Sequence, residues 1–275
     1  MVIAIIGVLV SLLLPSLAQV QIRTRDIKCL SNFHHIGLAT KDYVADHQVY
    51  PPRAVAYSNS QFQAVYANST LMVMGGADPV QAIPYVPLSV PAAYRPLYRY
   101  QSFPQIFRCP MDAGTLALND WPWTNINAKP SLWETIGCSY QYNVSYLAPK
   151  DSSRSPPLPP ITKLGISGSL ALKREEWVLD PARFILLTEP PARPLGRRYS
   201  NTNFHPIYVD LFWTQWHRTR GITDFGDPTI APRLFVSPVL FIDGHAAVHD
   251  FSSSIMNDPY YPFEKTKDWQ WYQPR

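Results

Sequence analysis

The chain has 275 residues, 46% of them hydrophobic, enough for one sizeable core. Its 24 Lys and Arg and 20 Asp and Glu give a net charge of +4, spread without a basic block, which argues against nucleic-acid binding. Charged residues are 16% of the total, against about 25% in ordinary soluble domains. The 28 prolines, 16 tyrosines and 8 tryptophans argue against a simple helix bundle and for a loop-rich, aromatic-packed body.

Residues 2–18 are almost wholly apolar, with Ser11 and Ser16 as the only polar side chains. As a helix, about 17–20 such residues reach roughly 25–30 Å, close to the thickness of a bilayer core. Val2, Ile3, Ile5, Ile6, Val8, Leu9, Leu12, Leu13, Leu14 and Leu17 form the surface available to lipid or to neighbouring helices. Arg23, Arg25, Asp26 and Lys28 end the run abruptly. A cleaved signal peptide would need a basic region ahead of the apolar run and a break after it, and neither is present. A soluble core helix would show a polar face. A membrane helix is therefore expected, with Pro15 tolerated as a kink.

The helical pattern continues through Ile22, Cys29, Phe33, Ile36, Leu38, Tyr43 and Val44, and Pro51-Pro52 are expected to end it. The predicted layout is one helix over residues 1–47, with 1–22 as its membrane or filament-core half. A single α+β head over 48–275 follows.

Within the head, residues 60–74 hold a helix or a strand, and the proline-rich stretch 79–104 reads as an extended loop. Residues 107–110 read as a strand running into a turn, and residues 138–143 as an alternating strand. The segment 149–160 is a surface loop within one domain. Residues 184–189 are the clearest core strand. Residues 234–242 and 247–251 flank Asp243-Gly244, a hairpin signal.

Chemical motifs are sparse. The three cysteines, Cys29, Cys109 and Cys138, leave at least one unpaired within the chain. No CxxC spacing occurs, so zinc and thioredoxin-type sites are weakly indicated. Asp243, His245, His249 and Asp250 are metal-ligand types. On a strand Asp243 and His245 could converge while Asp250 would fall opposite, and a turn aspartate bonding its own backbone is the simpler reading. Asp224 and Asp227 flank Gly226, but two carboxylates fall short of the six to eight oxygens calcium prefers. The run Gly165-Ile166-Ser167-Gly168 is no nucleophile elbow. His34 and His35 point about 100° apart on the helix, poorly placed to share an ion. Trp121, Trp123, Trp213, Trp216, Trp269 and Trp271 suit packing first, and a binding platform second. With no phosphate loop, dinucleotide fingerprint or catalytic carboxylate pair, no enzyme activity is expected and no cofactor is indicated.

The residues VIAIIGVLVSLLLPSLAQ, then Lys28-Cys29-Leu30-Ser31-Asn32, Ile36-Gly37-Leu38-Ala39 and Tyr50-Pro51-Pro52, resemble the N-terminal region of type IV pilin-like proteins. The chain is most similar to type II secretion pseudopilin G-like proteins of planctomycetes and verrucomicrobia. That group carries a histidine ahead of a Phe-x-Asp-Gly-His hairpin. Here the corresponding residues are His217 and Phe241-Ile242-Asp243-Gly244-His245, although residues 218–242 lie between His217 and Asp243, a longer interval than the family has. The chain also departs from the family in lacking the basic leader, the cleavage site and the Phe-Thr-Leu-Ile-Glu start. Met1 stands where the family has valine, as a valine codon read as an initiator would produce.

The resemblance implies a pilin-like fold: a long N-terminal helix packed on an antiparallel sheet, with long Pro-rich loops. It implies a structural subunit of a type II secretion or type IV pilus-like assembly, single-pass in the bacterial inner membrane with its head on the periplasmic or extracellular side. The implied partners are the membrane and other pilin-like subunits. Prepilin peptidase joins them only if a leader precedes Met1. The resemblance favours a Cys29–Cys109 disulfide, with Cys109–Cys138 as the alternative, and allows calcium near the C-terminus. A membrane-anchored surface protein that binds polysaccharide or protein without polymerising is the competing expectation.

Overall fold

The computed structural model describes residues 2–52, 55–58, 64–67, 74–80, 90–112, 131–143, 170–189, 217, 236–250, 267–268 and 270. The side chains of residues 2–6, 8–13, 15, 18, 19, 55–58, 64–67, 236 and 250 lie outside that description.

One helix, α1 (Val2–His47), runs through 46 residues. At 1.5 Å per residue it is about 69 Å long. In its second half Cys29, Asn32, Phe33, Ile36, Ala39, Thr40, Tyr43 and Val44 are buried, at the three- and four-residue spacing of one helix face. Leu38, expected on that face, lies off the stripe and is 49% exposed. Gln48 ends the helix rather than the prolines. It turns into the left-handed region (φ 60°), and its amide bonds to the Val44 carbonyl at 2.7 Å.

The buried face rests on a four-stranded antiparallel sheet ordered β3-β4-β5-β6: β3 (Gln141–Tyr142), β4 (Ile185–Thr188), β5 (Val236–Phe241) and β6 (Ala246–Asp250). The chain is thus α+β, with α1 packed chiefly on β5 and on the 3-10 turn Pro104–Phe107. All four side chains of β4 are buried, which explains its apolar run Ile185-Leu186-Leu187. Pro238 pairs with Val248 of β6, one residue past Val239, the last partner β5 has in β4. Gly37 of α1 faces Leu240 of β5, where a Cβ would meet Leu240 Cδ1 at 3.4 Å, an ordinary contact. A separate hairpin pairs β1 (Val55–Ser58) with β2 (Ala64–Ala67).

Two expectations change here. Residues 107–110 do not form a strand. Pro104 opens a 3-10 turn, for which its fixed φ is suited, and that turn takes Phe107 with it. Part of the expected loop 79–104 also coils, into the 3-10 turn Ala92–Tyr94. The loop 149–160 and the glycine-serine run near Ser167 lie outside the described residues, as do the six named tryptophans. Among the described residues no helix is long and apolar enough to cross a membrane. Most side chains of the run 2–19 are not part of that set.

A buried arginine ties the lower loops together. Arg95, 3% exposed, donates to the carbonyls of Val90 (3.0 and 2.9 Å), Gly75 (2.7 Å), Ile136 (2.6 Å) and Gly137 (3.3 Å). Gly137 closes the short helix α2 (Leu132–Ile136) in a left-handed conformation (φ 79°). A Cβ there would fall 1.9 Å from the Ala77 carbonyl oxygen, so only glycine fits.

Candidate functional site

Cys29 lies on the buried face of α1. Cys109 follows the 3-10 turn Pro104–Phe107, and Asp112 fixes the turn that carries it. Asp112 accepts from the first amides of α2, Leu132 (3.0 Å) and Trp133 (2.9 Å), and from Ser139 Oγ (2.6 Å). Asn32, one helical turn beyond Cys29, donates to the Arg108 carbonyl (2.9 Å) and to Tyr140 Oη (3.2 Å). Helix and turn are thereby held together, and the two sulfurs sit 3.1 Å apart as free thiols. The favoured pairing partners do meet, without a bond between them. Cys138, the alternative partner, is buried with its thiol directed at the Tyr140 carbonyl (3.3 Å).

Two further groups complete the cluster. Glu189 follows the last residue of β4 and is fully buried. His217 is 1% exposed, with Nε2 3.6 Å from Cys109 Sγ and 3.1 Å from Glu189 Oε1. Its Nδ1–H donates to Asp26 Oδ1 at 2.6 Å, since a carboxylate can only accept. One donor atom each from Cys29, Cys109, Glu189 and His217 lie within 4.8 Å of one another. Glu189 Oε2 reaches within 2.9 Å of His217 Nε2 yet makes no hydrogen bond, because distance alone does not supply the angle. The Met111 amide donates to Cys109 Sγ at 3.2 Å.

The electrostatics follow from burial and crowding. Burial alone would lower the His217 pKa, but the Glu189 carboxylate and the bond to Asp26 outweigh it and raise it to about 12. The hydrogen bond from Cys109 lowers the Cys29 pKa, while burial pushes Cys109 well above the ordinary thiol value. The His217 imidazole thus lies between the carboxylates of Glu189 and Asp26, beside the Cys29 and Cys109 thiols. Cys138 is pushed up to about 12 by burial and is inert by comparison.

The Asp-Gly hairpin is a different place. Asp243 Oδ1 accepts from the His245 amide (3.0 Å) and from His245 Nδ1 (2.7 Å), the self-bonded turn that the sequence favoured. Both residues are exposed, and Gly244 takes φ 98°. Lys41 of α1 donates to the Asp243 carbonyl at 2.9 Å. Lys41 stands twelve residues beyond Cys29 on α1, or about 18 Å along the axis. The structure therefore separates His217 from Asp243, Gly244 and His245, although the sequence grouped them as one signature. Asp224 and Asp227 lie outside the described residues.

A cluster of metal-ligand types forms around His217 without any CxxC spacing. The four donors, Cys29 of α1, Cys109 of the turn after Phe107, Glu189 at the end of β4 and His217, are far apart in sequence, so no local spacing announces them. Glu189 was read only as the end of a core strand, and nothing in the sequence joined it to His217. A cleft of about 270 Å³ lined by Lys41, Gln48, Glu175 and Glu176 brings no such donor set together among the described residues. No protein family, curated protein or solved structure matches the chain.

Proposed function

We propose that the chain is a pseudopilin-like structural subunit of a type II secretion or type IV pilus-like assembly, anchored by α1 in the bacterial inner membrane. The observation that carries this reading is the asymmetry of α1. Its second half is sunk in the head from Cys29 onward, while Leu14, Leu17 and Val20 ahead of it are 61%, 54% and 57% exposed. Water is a poor medium for such a surface, and lipid or neighbouring copies of the same helix are suitable ones. In lipid, apolar helices associate by close packing rather than by hydrophobic exclusion, so the run can pass from bilayer to filament core with little change of environment. The α+β head, periplasmic or extracellular, supplies surfaces for partners.

Crosslinking of native envelopes tests this reading. A ladder of homo- or hetero-pilin products is expected. A single band at the monomer position would overturn it and favour the anchored surface-binding protein instead.

A further inference from the structure

We propose that Cys29, Cys109, Glu189 and His217 form a structural zinc site that clamps the helix α1 to the head. The reading does not depend on the filament proposal, and either can fail without the other.

The donor set is the first argument. Two thiols, an imidazole and a carboxylate are a combination that suits zinc, while calcium and magnesium prefer oxygen alone. The spacing is the second. With Zn–S about 2.3 Å and Zn–N about 2.0–2.1 Å, tetrahedral donors lie roughly 3.3–3.8 Å apart. The sulfurs stand 3.1 Å apart, Cys109 Sγ 3.6 Å from His217 Nε2, and Nε2 3.1 Å from Glu189 Oε1. The sulfurs would part by about 0.7 Å, and all four donor atoms lie within 4.8 Å of one another, so side-chain movements of up to about 1 Å would seat an ion between them.

The surroundings are the third argument. Asp26 holds His217 by Nδ1–H, which aims Nε2 at the other donors, the outer-sphere arrangement common to metal-bound histidines. The Met111 amide bonds Cys109 Sγ, a contact that stabilises a thiolate. Glu189 Oε2 is buried without a hydrogen-bond partner, which a bound cation would correct. On binding, the thiol protons and any proton on Nε2 leave to solvent. Four protein donors fill a tetrahedral shell and leave no open position, so the site is structural rather than catalytic.

The consequence is mechanical. The ion would join α1, the turn after Phe107, the end of β4 and His217, points spread over residues 29–217. Cys29 stands seven residues past the apolar run's last member, Ile22, so the clamp grips α1 where it enters the head.

The test uses the full chain, purified in detergent without oxygen and under reductant, stripped with chelator and titrated with zinc or cobalt. One ion per chain is expected. The cobalt form should show the intense visible bands of tetrahedral geometry and near-ultraviolet thiolate-to-cobalt charge transfer. Cys109→Ser and His217→Ala should abolish or sharply reduce binding, and Cys138→Ala should leave the stoichiometry unchanged. Asp26→Asn, a positioning change, should weaken affinity about 10–100-fold while keeping the two-thiolate spectrum. Should the cluster variants fail to fold, alkylation of the wild-type chain still decides: zinc must protect Cys29 and Cys109, and chelator must remove that protection. Absence of binding to the reduced chain, an octahedral cobalt spectrum without thiolate bands, or alkylation indifferent to zinc would each overturn the proposal.

Discussion

Two polar clusters are sunk in the head on opposite plans. Around Arg95 one guanidinium makes five hydrogen bonds to four carbonyls, so the buried charge is solvated by backbone dipoles and needs nothing more. Around His217 the balance is reversed. Two sulfurs and the carboxylates of Glu189 and Asp26 converge on one imidazole, and one carboxylate oxygen has no hydrogen bond. Buried anion-forming groups in excess are unfavourable unless a cation joins them. The comparison separates a knot that is complete in itself from one whose chemistry asks for an ion.

Breaking the first knot should have the largest effect. Arg95→Met takes a donor from four buried carbonyls, of which Gly137 keeps the Ala77 amide, and should lower stability by about 3–5 kcal/mol. Denaturant unfolding would measure it, and the loss should be the same with and without chelator. The second knot should respond oppositely. Zinc at about one hundred times its dissociation constant should add about 2.7 kcal/mol to the wild-type chain and nothing to Cys109→Ser. Thermal unfolding with zinc and with chelator checks both arms.

A third site, belonging to neither knot, sets the scale for ordinary local changes. Ser131 caps α2 reciprocally with Glu134, so Ser131→Ala should cost about 1 kcal/mol in a thermal melt and leave zinc binding untouched. The smallest effect is in pH dependence. The Ser131 amide and hydroxyl hold the Glu134 carboxyl below its ordinary range. A depressed acid stabilises the fold above its unfolded pKa, and that contribution is lost as pH falls through the folded value. Glu134→Gln should therefore flatten the acid-side slope of stability against pH.

Much of the scaffold was legible because its signals are periodic. Cys29, Phe33, Ile36, Tyr43 and Val44 mark one face of α1 by spacing alone, and the run at β4 marks a strand covered on both sides. Asp243-Gly244 fixed the β5–β6 hairpin through local turn chemistry. The strand expected at Phe107 failed because Pro104, three residues earlier, decides the backbone there. Leu38 failed because hydrophobicity places a residue in an amphipathic pattern only to within one position of the stripe. The cluster was legible only in part. A family resemblance brought Cys29 and Cys109 together, but Glu189 and His217 join them through tertiary folding, which no spacing rule detects. His217 and Asp243, joined in the sequence by a family signature, sit against different stretches of α1.

Zinc-edge X-ray absorption on the full chain, reduced and loaded with one equivalent of zinc, tests the clamp most directly. The account predicts two sulfur neighbours at about 2.3 Å and two nitrogen or oxygen neighbours at about 2.0–2.1 Å. A shell of nitrogen and oxygen alone, with no sulfur, would contradict it.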